Sequence, residues 1–260
     1  MDIKKYTRAT IEGWNEAAPI HARHNMARYL EEFSQPGFIV FDELEANDWQ
    51  ELGVEGKDIA QLGCNNGREL ISIKNMGTNR CVGFDGSVQF IRQAEQLNQA
   101  AMTDCEFVCT DIYDFDGAYD LIYISIGVLS WMPDIEQFFS ILVRLLKSQG
   151  LVYIHEQHPI LDMIEPGDAD SPVIWDYSYF KTDPFIDTDG LDYYGNQRYD
   201  AKPVYSFHHK LSDIFTAAIG NNLYIDAFEE LPEHIANCWY NVDKQGPELP
   251  MSYVLVLLKE

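Results

Sequence analysis

Apolar residues recur along this chain with two different periods. Over residues 10–29, Ile11, Trp14, Ala18, His21, Met26 and Tyr29 fall at roughly helical spacing, which predicts a helix interrupted at Pro19. A second helix is predicted around residues 40–52. From Asp58 onward, short apolar runs alternate with amphipathic stretches, the pattern of strands joined by crossover helices. Strands are predicted at 58–62, 80–85, 105–109, 119–125 and 151–155. The run 119–125 is apolar on both faces, as an interior strand of a parallel sheet should be. Gly77 stops a helix over residues 66–76, and Ser87 caps the next one. That helix turns inward either Val88, Ile91, Ala94 and Asn98, or Phe90, Ala94 and Leu97. Pro133 and Asp134 open a strongly apolar helix through Phe138, Phe139, Leu142, Leu145 and Leu146, which Gly150 closes.

The alternation breaks at residues 157–206. This segment has five prolines and ten acids against three bases, yet it carries Trp175, Tyr177, Phe180, Tyr193 and Tyr194 among other rings. A disordered linker is poor in aromatics, so the segment is predicted to fold, as irregular strands. Its position after the fifth strand places it over the carboxyl edge of the sheet, as a lid. A helix at 211–219 and strands at 223–228 and 252–258 follow. Residues 1–50 read as a helical cap beside the cavity mouth with no chemistry of its own.

Composition narrows the partners. The chain has 260 residues, 46% hydrophobic, enough for one α/β core with an appendage. With 18 Lys and Arg against 42 Asp and Glu, it lacks the basic face that a nucleic-acid binder uses to neutralise phosphates. The first residues carry no apolar core behind their lysines, which excludes a secretory signal, and no apolar run is long enough to span a bilayer. Cys64, Cys81, Cys105, Cys109 and Cys238 form no C-x-x-C pair, and their odd number argues against a full disulfide framework. They read as small buried hydrophobes in a reducing cytoplasm.

The chemistry concentrates at residues 58–70. An apolar strand enters a turn holding Gly63 and Gly67, a helix follows, and the next strand ends in Asp85, twenty-two residues past Gly63. Glycines let the backbone approach a ligand, the helix start presents free N–H groups, and an acid at a strand tip can accept ribose hydroxyls. A dinucleotide site wants a third glycine three residues beyond the second, and here that glycine is missing.

Five segments in order then resemble a class I S-adenosylmethionine-dependent methyltransferase of the small-molecule type. They are Gln61-Leu62-Gly63-Cys64-Asn65-Asn66-Gly67, the stretch ending Asp85-Gly86-Ser87, Cys109-Thr110-Asp111-Ile112, the run from Tyr119-Asp120 through Trp131-Met132-Pro133-Asp134, and Leu145-Leu146-Lys147-Ser148-Gln149-Gly150. The likeness covers residues 58–156 and, more weakly, 206–260. It implies a Rossmann-like α/β fold: a seven-stranded, mostly parallel sheet with helices on both faces, one domain over 1–260, the cap at 1–50 and the inserted lid at 157–206. It implies S-adenosylmethionine as cofactor and S-adenosylhomocysteine as product. The implied cofactor contacts are Gly63, Cys64, Asn65, Asn66, Gly67, Asp85, Gly86, Ser87, Asp111, Ile112 and Ile126, with Asp85 on the ribose and Asp111 near the adenine amino group. Gln61 departs from the family's usual acid, Asn65 from its middle glycine, and Ser130-Trp131 from a frequent histidine pair.

Methyl transfer from a sulfonium is an in-line displacement, and a nitrogen, oxygen or carbon acceptor can need a base. His155, Glu156 and His158, at the end of the fifth strand, are the candidates, with His208 and His209 behind them. The H-x-x-H pairs at His21/His24 and His155/His158 are not read as metal sites, since Pro159 breaks any helix that would align the second pair. The lid's rings and acids suit an aromatic or amine-bearing small molecule. No nucleic acid or membrane partner is expected. Two readings stay open: a catalytic methyltransferase, favoured by the insert, and a silent module that binds the cofactor without turnover, favoured by Gln61 and by Ser130-Trp131.

Overall fold

The computed structural model describes residues 2–195, 198–233, 235, 238–246 and 248–260. Helix α1 (Ile3–Phe33) opens the chain and α2 (Glu43–Glu51) follows. The sheet and its helices then run β1 (Asp58–Leu62), α3 (Arg68–Asn75), β2 (Arg80–Asp85), α4 (Val88–Ala101), β3 (Glu106–Cys109), β4 (Tyr119–Ile124), α5 (Ile135–Leu145) and β5 (Leu146–Gln157). After a 3-10 turn at Pro159–Met163, a small two-stranded sheet forms from β6 (Phe185–Asp187) and β7 (Val204–Ser206). Helix α6 (Leu211–Gly220), β8 (Leu223–Leu231), α7 (Tyr240–Gln245) and β9 (Ser252–Lys259) complete the chain.

The main sheet has seven strands in the order β3-β2-β1-β4-β5-β9-β8, with β9 antiparallel to both of its neighbours and the rest parallel. The Rossmann-like expectation holds. Helix α5 packs Phe138, Phe139, Leu142 and Leu145 on one face of the sheet with α6 beside it. Each such side chain, fully buried, contributes about 1.5–3 kcal/mol. The other face meets α3, α4, and the second half of α1 with Trp49 of α2. On α4, Phe90, Ile91, Ala94 and Leu97 are buried, drawing on both expected faces, while Val88 stays exposed.

Three sequence expectations change. Pro19 does not interrupt α1, which is continuous. A mid-helix proline costs about 3 kcal/mol in isolation. Here the helix is held at that point by buried Ala17, Ala18 and His21, and by Gln93 Nε2 donating to the Ala18 carbonyl at 3.0 Å. Strand β5 starts at Leu146, not Leu151, because a register shift at Tyr119 and left-handed Gln149 (φ 63°) carry its first residues beside β4. A second insert, between β8 and β9, was not foreseen. It packs Trp239, Val242 and Met251 against Leu161 and Ile164 of the first insert.

Candidate active site

The carboxyl edge of the sheet opens into a cavity of about 460 Å³. The strand order sets its layout: Asp111 past β3, Asp85 at the tip of β2, the glycine turn past β1, residues 125–128 past β4, Gln157 at the tip of β5 and Asp162 past it.

The floor is the turn after β1. Gly63 has φ 68°, and a Cβ there would lie 2.7 Å from Val128 Cγ2. Asn65, where the family has glycine, adopts φ 50°, a conformation Asn tolerates better than most residues. Its side-chain oxygen accepts from Asn66 N at 2.7 Å. Asn65 N donates to Asp85 Oδ2 and Ser87 N to Asp85 Oδ1, both at 2.8 Å. Burial beneath α1 pushes the Asp85 carboxyl up to about 6, against the pull of those two N–H groups. Two bonds leave lone pairs free on both oxygens, which suits a ribose diol.

The first helix supplies the wall above, which the sequence reading missed. Thr7, Thr10, Ile11 and Trp14 line the cavity. Thr7 Oγ1 donates to Asp111 Oδ2 at 2.6 Å, and Lys4 Nζ lies 3.2 Å from the same oxygen. Ile11 sits so close to Gly86 that a Cβ there would be 2.4 Å from its Cγ1. Ser87 Oγ donates to Asn15 Oδ1 at 2.9 Å. These residues look like an ordinary amphipathic helix in the sequence; a threonine pair one turn apart was the only signal.

Of the implied cofactor contacts, Gly63, Asn65, Asn66, Asp85, Gly86, Ser87, Asp111, Ile112 and Ile126 line the cavity. Cys64 and Gly67 do not. Cys64 is fully buried under the turn, where burial raises its thiol well above the ordinary range. Gly67 sits against the Phe107 ring at the start of α3. Cys109, expected to be buried, is exposed on edge strand β3.

Gln61 is fully buried, and its Oε1 has no partner, while its Nε2 faces Ser125 Oγ at 3.4 Å. A buried amide oxygen without a donor is costly. It marks a place for an N–H donor beside the cavity-lining Ser125, as the amino group of the cofactor's methionine end would provide. Arg68 also lines the cavity, with Nε on Glu69 at 2.7 Å and Nη1 donating to the Tyr29 hydroxyl at 2.6 Å.

The three candidate bases are not at the mouth, which corrects their expected placement. Side chains alternate along a strand. His155 shares the Tyr153 face, one step short of the cavity that Gln157 reaches; its Nε2 is buried and unpartnered, and burial lowers its pKa. Glu156 is 3% exposed and accepts from Gly127 N at 2.6 Å, Gln157 N at 2.8 Å and Leu129 N at 3.1 Å. It braces the loop after β4 from behind. His158 accepts from Ile160 N at 3.2 Å through Nδ1 and pairs with Glu230 at 3.0 Å through Nε2. Burial lowers its pKa, with Glu230 opposing. His209 Nε2 contacts the Met132 carbonyl at 2.8 Å. From this stretch, Gln157 and Asp162 reach the cavity instead. His21, the first of the other H-x-x-H pair, contacts the Leu191 carbonyl at 2.7 Å. Among the described residues, no group of three or more His, Cys, Asp and Glu is arranged to hold a metal.

Both inserts close the far side. Tyr193 and Tyr194 come from the first, and Cys238 and Trp239 from the second. Gly167 N donates to the Cys238 carbonyl at 3.0 Å, and Trp239 Nε1 to the Ile164 carbonyl at 3.1 Å, so the inserts form one unit. Tyr193 meets Trp14 and His21 at ring distances of 6.2 and 4.5 Å. Trp175 is 49% exposed and lies outside the cavity.

Residues 60–154 match the sequence profile of a methyltransferase domain. Trans-aconitate 2-methyltransferase of Escherichia coli (strain SE11) is 34% identical over 101 residues, 38% of this chain and 38% of that protein. A tRNA U34 carboxymethyltransferase of Campylobacter lari is 26% identical over 104 residues, 39% of this chain and 35% of that protein. The chain thus spans under two fifths of the length of these curated relatives. An S-adenosylmethionine dependent methyltransferase from Mesorhizobium loti superposes with a TM-score of 0.63 over 83% of this chain and 97% of its own, at 20% identity, a likeness of fold. The profile falls on β1 to β5, the segment that builds the cavity floor, so this segment resembles a methyltransferase domain, and the chain shares the fold of S-adenosylmethionine-dependent methyltransferases.

Proposed function

We propose that this protein methylates a small molecule, with S-adenosylmethionine as donor. The observation that carries the reading is the Asp85 carboxylate, held by two backbone N–H groups under the cavity with acceptor positions to spare. Asp85 would hold the ribose, Asp111 the adenine end, and Gly63, Asn65, Asn66, Gly86, Ser87, Ile112 and Ile126 the surrounding surface. Gln61, Ser125 and Arg68 would serve the methionine end. The cofactor supplies a methyl group already activated on a sulfonium. The chain's own residues align donor and acceptor and exclude water, with Glu156 fixing the loop after β4 and the paired inserts acting as the lid.

A small acceptor is favoured over tRNA because the lid covers the β5 end and the chain is strongly acidic. The described residues include no helix long and apolar enough to cross a membrane. The five free cysteines suit a cytoplasmic setting. Neutral Gln61 in place of the usual acid favours a second reading, a binding module without turnover. Calorimetry with S-adenosylhomocysteine tests the first part. Asp85→Ala should weaken binding by about 1.5–3 kcal/mol, the scale of a charge-assisted hydrogen bond, and unchanged affinity would refute the assignment. Formation of S-adenosylhomocysteine from S-adenosylmethionine in the presence of a metabolite extract, absent in Asp85→Ala, separates the enzyme from the silent module.

A further inference from the structure

The acceptor end of the cavity is built around Asp162. This residue lies in the 3-10 turn that follows β5 and reaches the cavity beside Gln157. Gln157 Nε2 donates to its Oδ1 at 3.0 Å. His208 Nδ1 lies 2.8 Å from its Oδ2, while His208 Nε2 meets the Tyr179 carbonyl at 2.8 Å. Both ring nitrogens of His208 are thus occupied, one by the carboxylate and one by the carbonyl. The His208 side chain is 2% exposed. Two bonds occupy half of the lone-pair positions of the carboxylate, and the remainder can accept from a ligand in the cavity.

What surrounds Asp162 limits that ligand. Among the described lining residues, Arg68 is the only Lys or Arg. It opens α3 beside the glycine turn, near enough to Tyr193 and Tyr194 for its charge to act on both, and is committed to Glu69 and Tyr29. A carboxylate-bearing acceptor at the β5 end would face the Asp162 carboxylate with no Lys or Arg but Arg68 among the described lining residues, a costly juxtaposition. The cavity is also lined by the rings of Trp131, Tyr193 and Trp239. Aromatic faces accept planar groups and attract positive charge.

We propose that the cavity beyond β5 is an amine subsite. Asp162 accepts an N–H from an aromatic or arylalkyl amine whose ring lies among Trp131, Tyr193 and Trp239, and anionic acceptors are rejected. Asp162 acts here as a specificity-determining residue. The inference rests on the methyltransferase reading and sets this chain apart from a relative named for trans-aconitate, a tricarboxylate.

The test uses the full chain saturated with S-adenosylhomocysteine, whose binding is measured first; absence of that binding would strike the cofactor reading and not this one. Phenethylamine and 3-phenylpropanoate, matched in ring and chain length, are then titrated by ligand-observed NMR. The amine should bind at least about tenfold tighter, or ~1.4 kcal/mol. Asp162→Asn should abolish the preference while S-adenosylhomocysteine affinity stays within about twofold, and Asp162→Glu should retain much of the preference. Equal or tighter binding of the carboxylate, no binding of the amine, or a preference intact in Asp162→Asn would overturn the proposal. The wild-type comparison decides alone if Asp162→Asn does not fold.

Discussion

Cofactor affinity should depend on pH through Asp85. Its carboxyl is pushed up to about 6 by burial, against two backbone N–H bonds. If the ribose diol donates to the ionised form, apparent affinity scales with the ionised fraction. With a pKa of about 6, that fraction is about 0.9 at pH 7 and about 0.09 at pH 5. The Kd for S-adenosylhomocysteine should therefore weaken about tenfold between pH 7 and pH 5, and binding at pH 5 should release close to one proton. Calorimetry in two buffers of different ionisation enthalpy measures both quantities. Glu156 titrates nearby, pushed up to about 7, so the control is Asp85→Asn, in which the pH dependence should flatten while overall affinity drops. A Kd constant from pH 7 to pH 5, or a slope that survives in Asp85→Asn, would refute the ribose assignment together with the protonation behaviour derived from it.

Three further outcomes are expected. Gly63→Ala places a Cβ 2.7 Å from Val128 Cγ2 at a φ of 68°; it should lower stability by about 1–3 kcal/mol in urea denaturation, and Val128→Ala should restore part of the loss, whereas no rescue would show that backbone strain alone is responsible. The turn lacks the third glycine that a dinucleotide site needs, so thermal-shift titration should show stabilisation by S-adenosylhomocysteine and none by NAD; comparable shifts would point to an oxidoreductase. His155→Asn and His158→Asn should leave S-adenosylhomocysteine affinity within about threefold, or ~0.7 kcal/mol, because neither side chain lines the cavity; a larger loss by calorimetry would restore them to the site.

The parts of the site readable from the chain are those where local chemistry and backbone geometry coincide. Strands β1 and β2 end where apolar runs meet Gly63 and Asp85, and their placement follows directly. Strand β5 was harder, since Lys147, Ser148 and Gln149 look like loop residues and join the strand only through the irregular pairing of Leu146 with Tyr119. The cavity wall from α1 was invisible because Thr7, Ile11 and Trp14 carry no motif, and only docking against Gly86 and Asp111 gives them a role. The run from His155 to His158 reads as one cluster in the sequence, but His155 stops short of the cavity, Glu156 is committed to backbone N–H groups and His158 to Glu230, contacts that only the fold brings about. Asp162 was one acid among ten in the insert. Of the lid rings, Tyr193 and Tyr194 reach the cavity and Trp175 stays outside it, a difference set by the long-range packing of Tyr193 on Trp14 and His21 of α1.

Glu156 shows how such a buried acid bears on stability. Its carboxyl sits at about 7, raised by burial and by the nearby charge of Asp162, and opposed by three backbone N–H donors. The ordinary value is 4.5. A raised folded pKa means the native state holds the proton more tightly than the unfolded chain does. The contribution is thus fully present below pH 4.5 and lost as pH rises through about 7. The span corresponds to about 3 kcal/mol. The whole protein will not display this slope directly, because buried His21 and His158 and half-buried His155 and His209 have lowered pKa values and act with the opposite sign, losing stability on acidification. The difference between wild type and Glu156→Gln cancels those histidines. In urea denaturation from pH 4.5 to pH 8, the wild type should lose about 3 kcal/mol relative to Glu156→Gln, whose amide does not titrate. A flat difference would mean that the N–H groups of Gly127, Leu129 and Gln157 hold the carboxylate ionised throughout, and that the brace behind the cavity is an anion even in acid.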